Sequence, residues 1–280
     1  MSKTFYILGA SGFMGNGCTA YLRQQGHRVL TDRADVTDLA ALTAAFTAAK
    51  PNVVINFAGV RAYPHIDWCE THKLETVAVN VGGPINVAQA GIDAGAYVIQ
   101  IASGCIYHGG PEHEFTEDDP ANFTGSFYSR MRAVMQAALA ELPVLQVRLR
   151  MPISRQAHDR NLITKIARYQ KVISLPNSVT LIEDMYPALA LLAEQQPTGI
   201  LNLTNDGYTD NATILAAYKE IVDPSHSYEL IPLEQLPTTA QRSNCVLANA
   251  KAKGLGINMP ALDAARLREV MRDYKKSLAP

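Results

Sequence analysis

The chain has 280 residues, 48% hydrophobic and 18% charged, enough to bury one large α/β core or a large domain and a small one. A formal net charge of −1 provides no long-range field for nucleic acid or anionic lipid, so neither is expected as a partner and any anion site must be local. The cysteines Cys18, Cys69, Cys105 and Cys245 are irregularly spaced, and the first apolar run is too short for a signal peptide or a membrane span; the expectation is a cytoplasmic protein with reduced thiols.

In chain order, "TFYILG" reads as a short apolar strand and "GNGCTAYLRQQG" follows at helical spacing. Between them, "ILGASGFMGNG" sets Gly9, Gly12 and Gly15 as G-x-x-G-x-x-G. Glycines there permit a tight turn, let backbone approach a pyrophosphate and leave the helix N–H groups free for the anion. Dinucleotide binding is therefore expected, with Gly9, Ser11, Gly12, Phe13, Met14 and Gly15 in contact. The next strand, "HRVLT", ends in "DRADV". Asp32 there suits a ribose 2′-hydroxyl and Arg33 suits a 2′-phosphate, with Asp35 and Val36 beside them. The two pull in opposite directions; the reading leans to NADPH, with NADH possible.

"DLAALTAAFTAAKP" predicts a helix capped by Asp38, with Leu39, Leu42, Phe46 and Ala49 on one face and Pro51 beyond its end. "NVVINFAG" is a fully apolar strand that delivers Phe57, Ala58 and Gly59 to the cofactor, and one helix from about Thr71 to Ala94 should follow. "AYVIQIAS" is a third strand, ending at Ser103. After a loop over 108–125, whose acidic run 111–120 is read as a mobile lid from its place before Tyr128, come a helix opening at Tyr128 and the strand "VLQVRLR". This alternation predicts a Rossmann-like α/β fold, a doubly wound parallel sheet covered on both faces. Residues 1–150 are expected to form the NAD(P)-binding domain. Residues 151–280 are expected to be mainly a smaller substrate-binding region, with the strand near 199–204 returning to the main sheet. "HIDWCETH" spaces His65, Cys69 and His72 suggestively but offers no fourth ligand, so no metal is expected.

With the glycine loop, "INFAG", Ser103 and Tyr128 in place, the chain resembles the extended short-chain dehydrogenase/reductase family over essentially its whole length. The resemblance implies that Ser103 and Tyr128 bracket a substrate carbonyl. It also implies that the position four residues after the tyrosine, Arg132 here and lysine in the family, binds the nicotinamide ribose. The chemistry fits those types: a phenol can protonate a carbonyl oxygen if a nearby cation stabilises the phenolate. Arginine keeps the charge but has a different donor geometry.

"IDWCETHKLETVAVN", "ASGCIYH", "NFTGSFYS", "RMPIS", "NLITKI", "PNSVTLIED" and "RSN" narrow the resemblance. They are similar to the reductase portion of plant rhamnose synthases and related free-standing enzymes, which are nucleotide-linked 4-keto-6-deoxyglucose 3,5-epimerase/4-reductases. More distantly, the chain resembles dTDP-4-dehydrorhamnose reductases. The resemblance maps the epimerase acid/base groups onto Cys105 and Lys165. The remaining polar candidates for the UDP or dTDP sugar are Asn80, Arg150, Asn177, Ser178, Thr180 and Arg242, and a homodimer is expected from the fold class alone. The chain departs from the family pattern at Arg132 and Cys245. Two alternatives stay open: a 4-ketoreductase without epimerase activity, and a nonenzymatic NADP-binding regulatory subunit.

Overall fold

The computed structural model describes residues 2–60 and 65–278. Strands are numbered in chain order, and six of them form one parallel sheet: β1 (Thr4–Leu8), β2 (Arg28–Leu30), β3 (Val53–Asn56), β4 (Tyr97–Ser103), β6 (Leu145–Leu149) and β10 (Gly199–Asn202). Their spatial order is β2-β1-β3-β4-β6-β10. The 199–204 segment does return to the sheet, with Gly199 opposite Leu145 at its edge.

Parallel neighbours need long crossovers. Helices α1 (Phe13–Gln24), α2 (Leu39–Ala49), α5 (Gly83–Asp93), α6 (Phe127–Ala138) and α8 (Ile182–Gln195) supply them. Strand alternation sends Phe5, Ile7, Ile55 and Val147 to one face, against Leu22, Met185 and Leu189. Tyr6, Leu8, Val54 and Val98 go to the other, against Leu42, Phe46, Val87 and Met135. Asp38 caps α2 as expected, accepting the Ala41 N–H at 2.9 Å. Leu39, expected on the buried face, is 41% exposed because it occupies the first helical residue, outside the packed turns.

The single helix expected from Thr71 to Ala94 is four pieces. They are α3 (Trp68–Thr71), α4 (Lys73–Val77), a π-helical turn over Ala78–Gly82, and α5. The π turn brings Asn80 inward, where its amide accepts the Val60 N–H at 2.8 Å and donates to the Val60 carbonyl.

A second lobe surrounds its own core of Ile163, Ile166, Leu215, Val270, Met271 and Tyr274. It contains α7 (Leu162–Ile166), α9 (Asn211–Ile221) and α11 (Ala264–Ser277). Two short parallel pairs frame it: β7 (Pro152–Ile153) with β9 (Thr180–Leu181), and β8 (Lys171–Val172) with β11 (Glu229–Leu230). The short α10 (Ala250–Gly254) packs by β10.

The run 111–120, expected to be a mobile lid from its place before Tyr128, lies in a loop over 108–125 that is tied to its surroundings. Its strand β5 (Glu114–Phe115) pairs with β12 (Val246–Leu247), the Tyr107 hydroxyl donates to the Asp119 carbonyl at 2.7 Å, and buried Arg148 donates to the Thr116 carbonyl at 3.1 Å. Among the described residues, no helix is long and apolar enough to cross a membrane.

Candidate active site

The sheet register brings the strand ends into one row. Leu8 pairs with Asn56 and Ser103 with Leu149, so Gly9, Phe57, Gly104 and Arg150 all emerge at the carboxyl edge of the sheet. In open α/β sheets this edge is where ligands bind.

At one end lies a cradle of backbone. Gly9 has φ +72, and a Cβ on it would sit 2.8 Å from the Ala58 nitrogen; a Cβ on Gly15 would sit 2.3 Å from the Gly9 carbonyl oxygen. The Gly12 N–H closes the turn on that same oxygen at 2.9 Å. Gly12 is also the N-cap of α1 and brings no side chain to bond the first-turn N–H groups. Those groups are left to face an anion, with Gly9 and Ser11 exposed beside them. The residues present thus fit a dinucleotide pyrophosphate.

Phe13 and Met14 are half-buried, and the Phe13 ring stacks on His158 at 4.7 Å. Asp32 and Arg33 are both exposed beyond β2. The Thr37 backbone N–H and hydroxyl hold the Asp35 carboxyl below its usual range. Val36 is buried, close enough to Gly83 that a Cβ there would meet its Cγ2 at 2.7 Å. Phe57 and Ala58 are half-buried, with the Ala58 N–H donated to Asn56 Oδ1 at 2.9 Å, and a Cβ on Gly59 would lie 3.3 Å from Asn80 Oδ1.

In the middle of the edge stands α6. Its N-cap Ser126 accepts the Ser129 N–H at 3.1 Å, and the Glu70 carboxylate accepts the Phe127 N–H at 2.6 Å. Tyr128 follows, 9% exposed. One turn on, the buried Arg132 guanidinium lies 6.0 Å from the Tyr128 ring centroid and donates to the Ile101 carbonyl of β4. The Arg132 Nε is buried without a hydrogen-bond partner among the described residues. A cation therefore does stand beside the phenol, with one donor committed to the strand and another open.

The other end is a pocket of interlocked side chains. Ser103 Oγ accepts the Cys105 N–H at 3.1 Å. The Arg150 guanidinium, 4% exposed, donates to Cys105 Sγ at 2.9 Å, to Ser243 Oγ at 3.0 Å and to Asn177 Oδ1 at 2.9 Å. Burial by itself would lower the Arg150 pKa, but the sulfurs of Cys105 and Cys245 outweigh it and raise the value. Cys245 is buried, its S–H donates to the Gly104 carbonyl at 3.3 Å, and burial pushes its thiol up to about 11.

The residues expected to grip a nucleotide sugar are largely engaged within the protein. The Asn80 amide is used by Val60, and Asn177 Oδ1 accepts from Arg150 and from the Cys245 N–H at 3.1 Å. Ser178 Oγ accepts the Leu247 N–H at 2.9 Å, Thr180 Oγ1 donates to the Leu203 carbonyl at 3.0 Å, and Arg242 pairs with Asp67 at 3.0 Å. Lys165 is half-buried in α7, in the second lobe. Ser103, Cys105 and Arg150 are thus brought together, with Tyr128 close enough to act on the Arg150 charge and Arg132 beside Tyr128. Glu70, His158 and Ser243 were not singled out from the sequence. Ser243 stands in "RSN" next to the arginine that was, and neither Glu70 nor His158 carries a local motif.

Residues 3–275 match the family described as RmlD substrate binding domain. The chain is 35% identical, over 99% of its length and 95% of the relative's, to a bifunctional dTDP-4-dehydrorhamnose 3,5-epimerase/dTDP-4-dehydrorhamnose reductase of Arabidopsis thaliana. It is 36% identical, over 99% of its length, to an A. thaliana trifunctional UDP-glucose 4,6-dehydratase/UDP-4-keto-6-deoxy-D-glucose 3,5-epimerase/UDP-4-keto-L-rhamnose-reductase, of which it spans only 43%. Among solved structures, it matches the UDP-rhamnose synthase of Acanthamoeba polyphaga mimivirus with a TM-score of 0.92 at 30% identity, covering 98% of this chain and 100% of that one.

Proposed function

The chain belongs to the RmlD substrate binding domain family, NAD(P)-dependent nucleotide-sugar reductases and epimerases of the extended short-chain type, and on that premise we propose the reaction it carries out. It converts a UDP- or dTDP-linked 4-keto-6-deoxyglucose to the L-rhamnose nucleotide, epimerising C3 and C5 and then reducing C4. The observation that carries this reading is that Cys105 lies two residues past Ser103, the last residue of β4, and its N–H is bonded to the Ser103 hydroxyl. A ketoreductase needs a hydroxyl and a phenol there but has no use for a thiol.

The glycine cradle, with Asp32, Arg33, Asp35, Val36, Phe57, Ala58 and Gly59 along the next two strand ends, holds the cofactor. Arg33 in its exposed position favours NADPH, with NADH tolerated. When bound, the reduced nicotinamide supplies two electrons and one hydrogen to the C4 carbonyl carbon. Tyr128 donates the proton to the carbonyl oxygen, Ser103 polarises that oxygen, and Arg132 favours the phenolate left behind. In the epimerase half, the C4 ketone acidifies the hydrogens at C3 and C5. Inverting each centre takes a base on one face and an acid on the other, the roles of Cys105 and Lys165. Asn80, Asn177, Ser178, Thr180 and Arg242 shape the wall that receives the nucleotide. Residues 1–150 with β10 form the cofactor side, and the remainder of 151–280 the substrate side.

The test mixes the protein with NADPH and each 4-keto sugar nucleotide, following absorbance and the product's configuration by NMR. An L-rhamno product is expected from at least one nucleotide. NADPH oxidation giving only D-configured 6-deoxy sugars would reduce the reading to a 4-ketoreductase, and no oxidation with either would overturn it.

A further inference from the structure

The Arg150 guanidinium has five N–H donors, and all five are used inside the protein. Nε and one Nη2 donor go to Asn177 Oδ1, the second Nη2 donor to the Ser243 carbonyl, and the two Nη1 donors to Ser243 Oγ and Cys105 Sγ. A fork with no donor left cannot grip a pyrophosphate, the role its residue type suggests. We propose instead that Arg150 is a positioning residue that holds Cys105 as a thiolate, so that Cys105 enters the reaction as the base.

The charges support this assignment. A buried cation is costly unless an anion faces it. Asn177 and Ser243 offer neutral oxygens, and among these acceptors only the Cys105 sulfur can carry a full negative charge. Titratable groups that act on this contact include Tyr128 from α6 and Cys245 just before β12, with Arg148 behind Cys245. Cys245 donates its own S–H to the Gly104 carbonyl and stays neutral. Asn177 Oδ1 takes two guanidinium bonds and the Cys245 N–H together, which fixes the plane of the fork and aims Nη1 at the sulfur.

The inference rests on the epimerase reading and gives it a direction. The Cys105 thiolate removes the carbon-bound proton and becomes a thiol, while the electron pair moves into the enolate. A proton then returns to the opposite face of that carbon from the Lys165 ammonium, leaving a neutral amine. After one inversion both groups hold the opposite protonation state, so solvent must reset the pair before the second centre inverts.

The test needs no substrate. Alkylation of Cys105 by iodoacetamide is followed by peptide mass between pH 5 and 10, with Cys105→Ser as the labelling control. The rate should reach half its maximum at least about one pH unit below ~8.5, the value of a free cysteine. Arg150→Gln should move that midpoint up by about 1–3 units, the usual effect of removing an adjacent opposite charge. A wild-type midpoint at or above ~8.5 overturns the proposal whether or not the variant folds; so does an unchanged midpoint in a folded Arg150→Gln. A low midpoint in a protein that exchanges no substrate hydrogens would overturn the epimerase reading and leave the ion pair standing. Exchange catalysed with an ordinary thiol midpoint would do the reverse.

Discussion

The glycine cradle and the Arg150 pocket stand along the same sheet edge but are made of different material. The cradle is backbone: Gly9, Gly12 and Gly15 close on one another within seven positions, and a single Cβ on Gly15 would collide with the Gly9 carbonyl oxygen at 2.3 Å. The pocket is side chain: Arg150 reaches Asn177, Cys105 and Ser243 across 27, 45 and 93 positions of sequence. Backbone amides bind any pyrophosphate and tolerate changes in neighbouring side chains. A network of buried side chains can set the charge of one thiol, and each member depends on the others. General binding is built locally, and specific chemistry is assembled from distant parts of the chain.

Substitutions can separate the two regions. The largest effect is expected between them: Tyr128→Phe should lower NADPH oxidation by about 10²–10⁴ while the NADPH-induced rise in Tm stays as in the wild type. Gly15→Ala should cost about 1–3 kcal/mol of stability by overpacking and abolish that NADPH-induced rise. Cys105 alkylation should be untouched in Gly15→Ala, and a slowed reaction there would break the distinction. Asn177→Ala, which frees two guanidinium donors, should cost about 1–3 kcal/mol and raise the Cys105 alkylation midpoint, with NADPH binding unchanged.

The smallest effect concerns the clamp behind the pocket. Asp67 accepts from Thr239 N–H, Ala240 N–H and Arg242. Burial pushes its carboxyl up, but Arg242, the Thr239 N–H and the His65 charge outweigh that and hold it below the usual carboxylate range. A folded value below the unfolded one stabilises fully above the unfolded pKa and is lost as pH falls through the folded one. Asp67→Asn should therefore cost about 1 kcal/mol at pH 7, and urea melts of the two proteins should converge as the solution is acidified below pH 4.

The same contrast explains what the sequence reveals. The strand–helix alternation, the Asp38 cap, the glycine loop and the Tyr128 helix are local patterns of period, cap and turn, and each lies where the sequence places it. The π turn at Ala78–Gly82 is not written locally. It goes with the bonds between Asn80 and Val60, which join residues twenty positions apart and form only once the chain has folded back. The β5–β12 pair that ties down the 108–125 loop is two residues on each side, too short to leave a periodic trace. Within the site, Ser103, Cys105, Tyr128 and Arg132 were marked by resemblance and by their place after a strand or on a helix. The task of Arg150 was hidden, since nothing in "VRLRM" shows that its acceptors come from residues 105, 177 and 243.

The most direct test of two separable halves is one experiment in deuterated water. The protein is given the 4-keto sugar nucleotide without cofactor, the sugar is followed by NMR, and NADPH is added only afterwards. Deuterium should enter C3 and C5 before any NADPH is present, and reduction to the L-rhamnose nucleotide should begin when it is added. Reduction on addition of NADPH with no prior deuterium at either carbon would contradict the account, leaving the thiol pocket without a part in the chemistry.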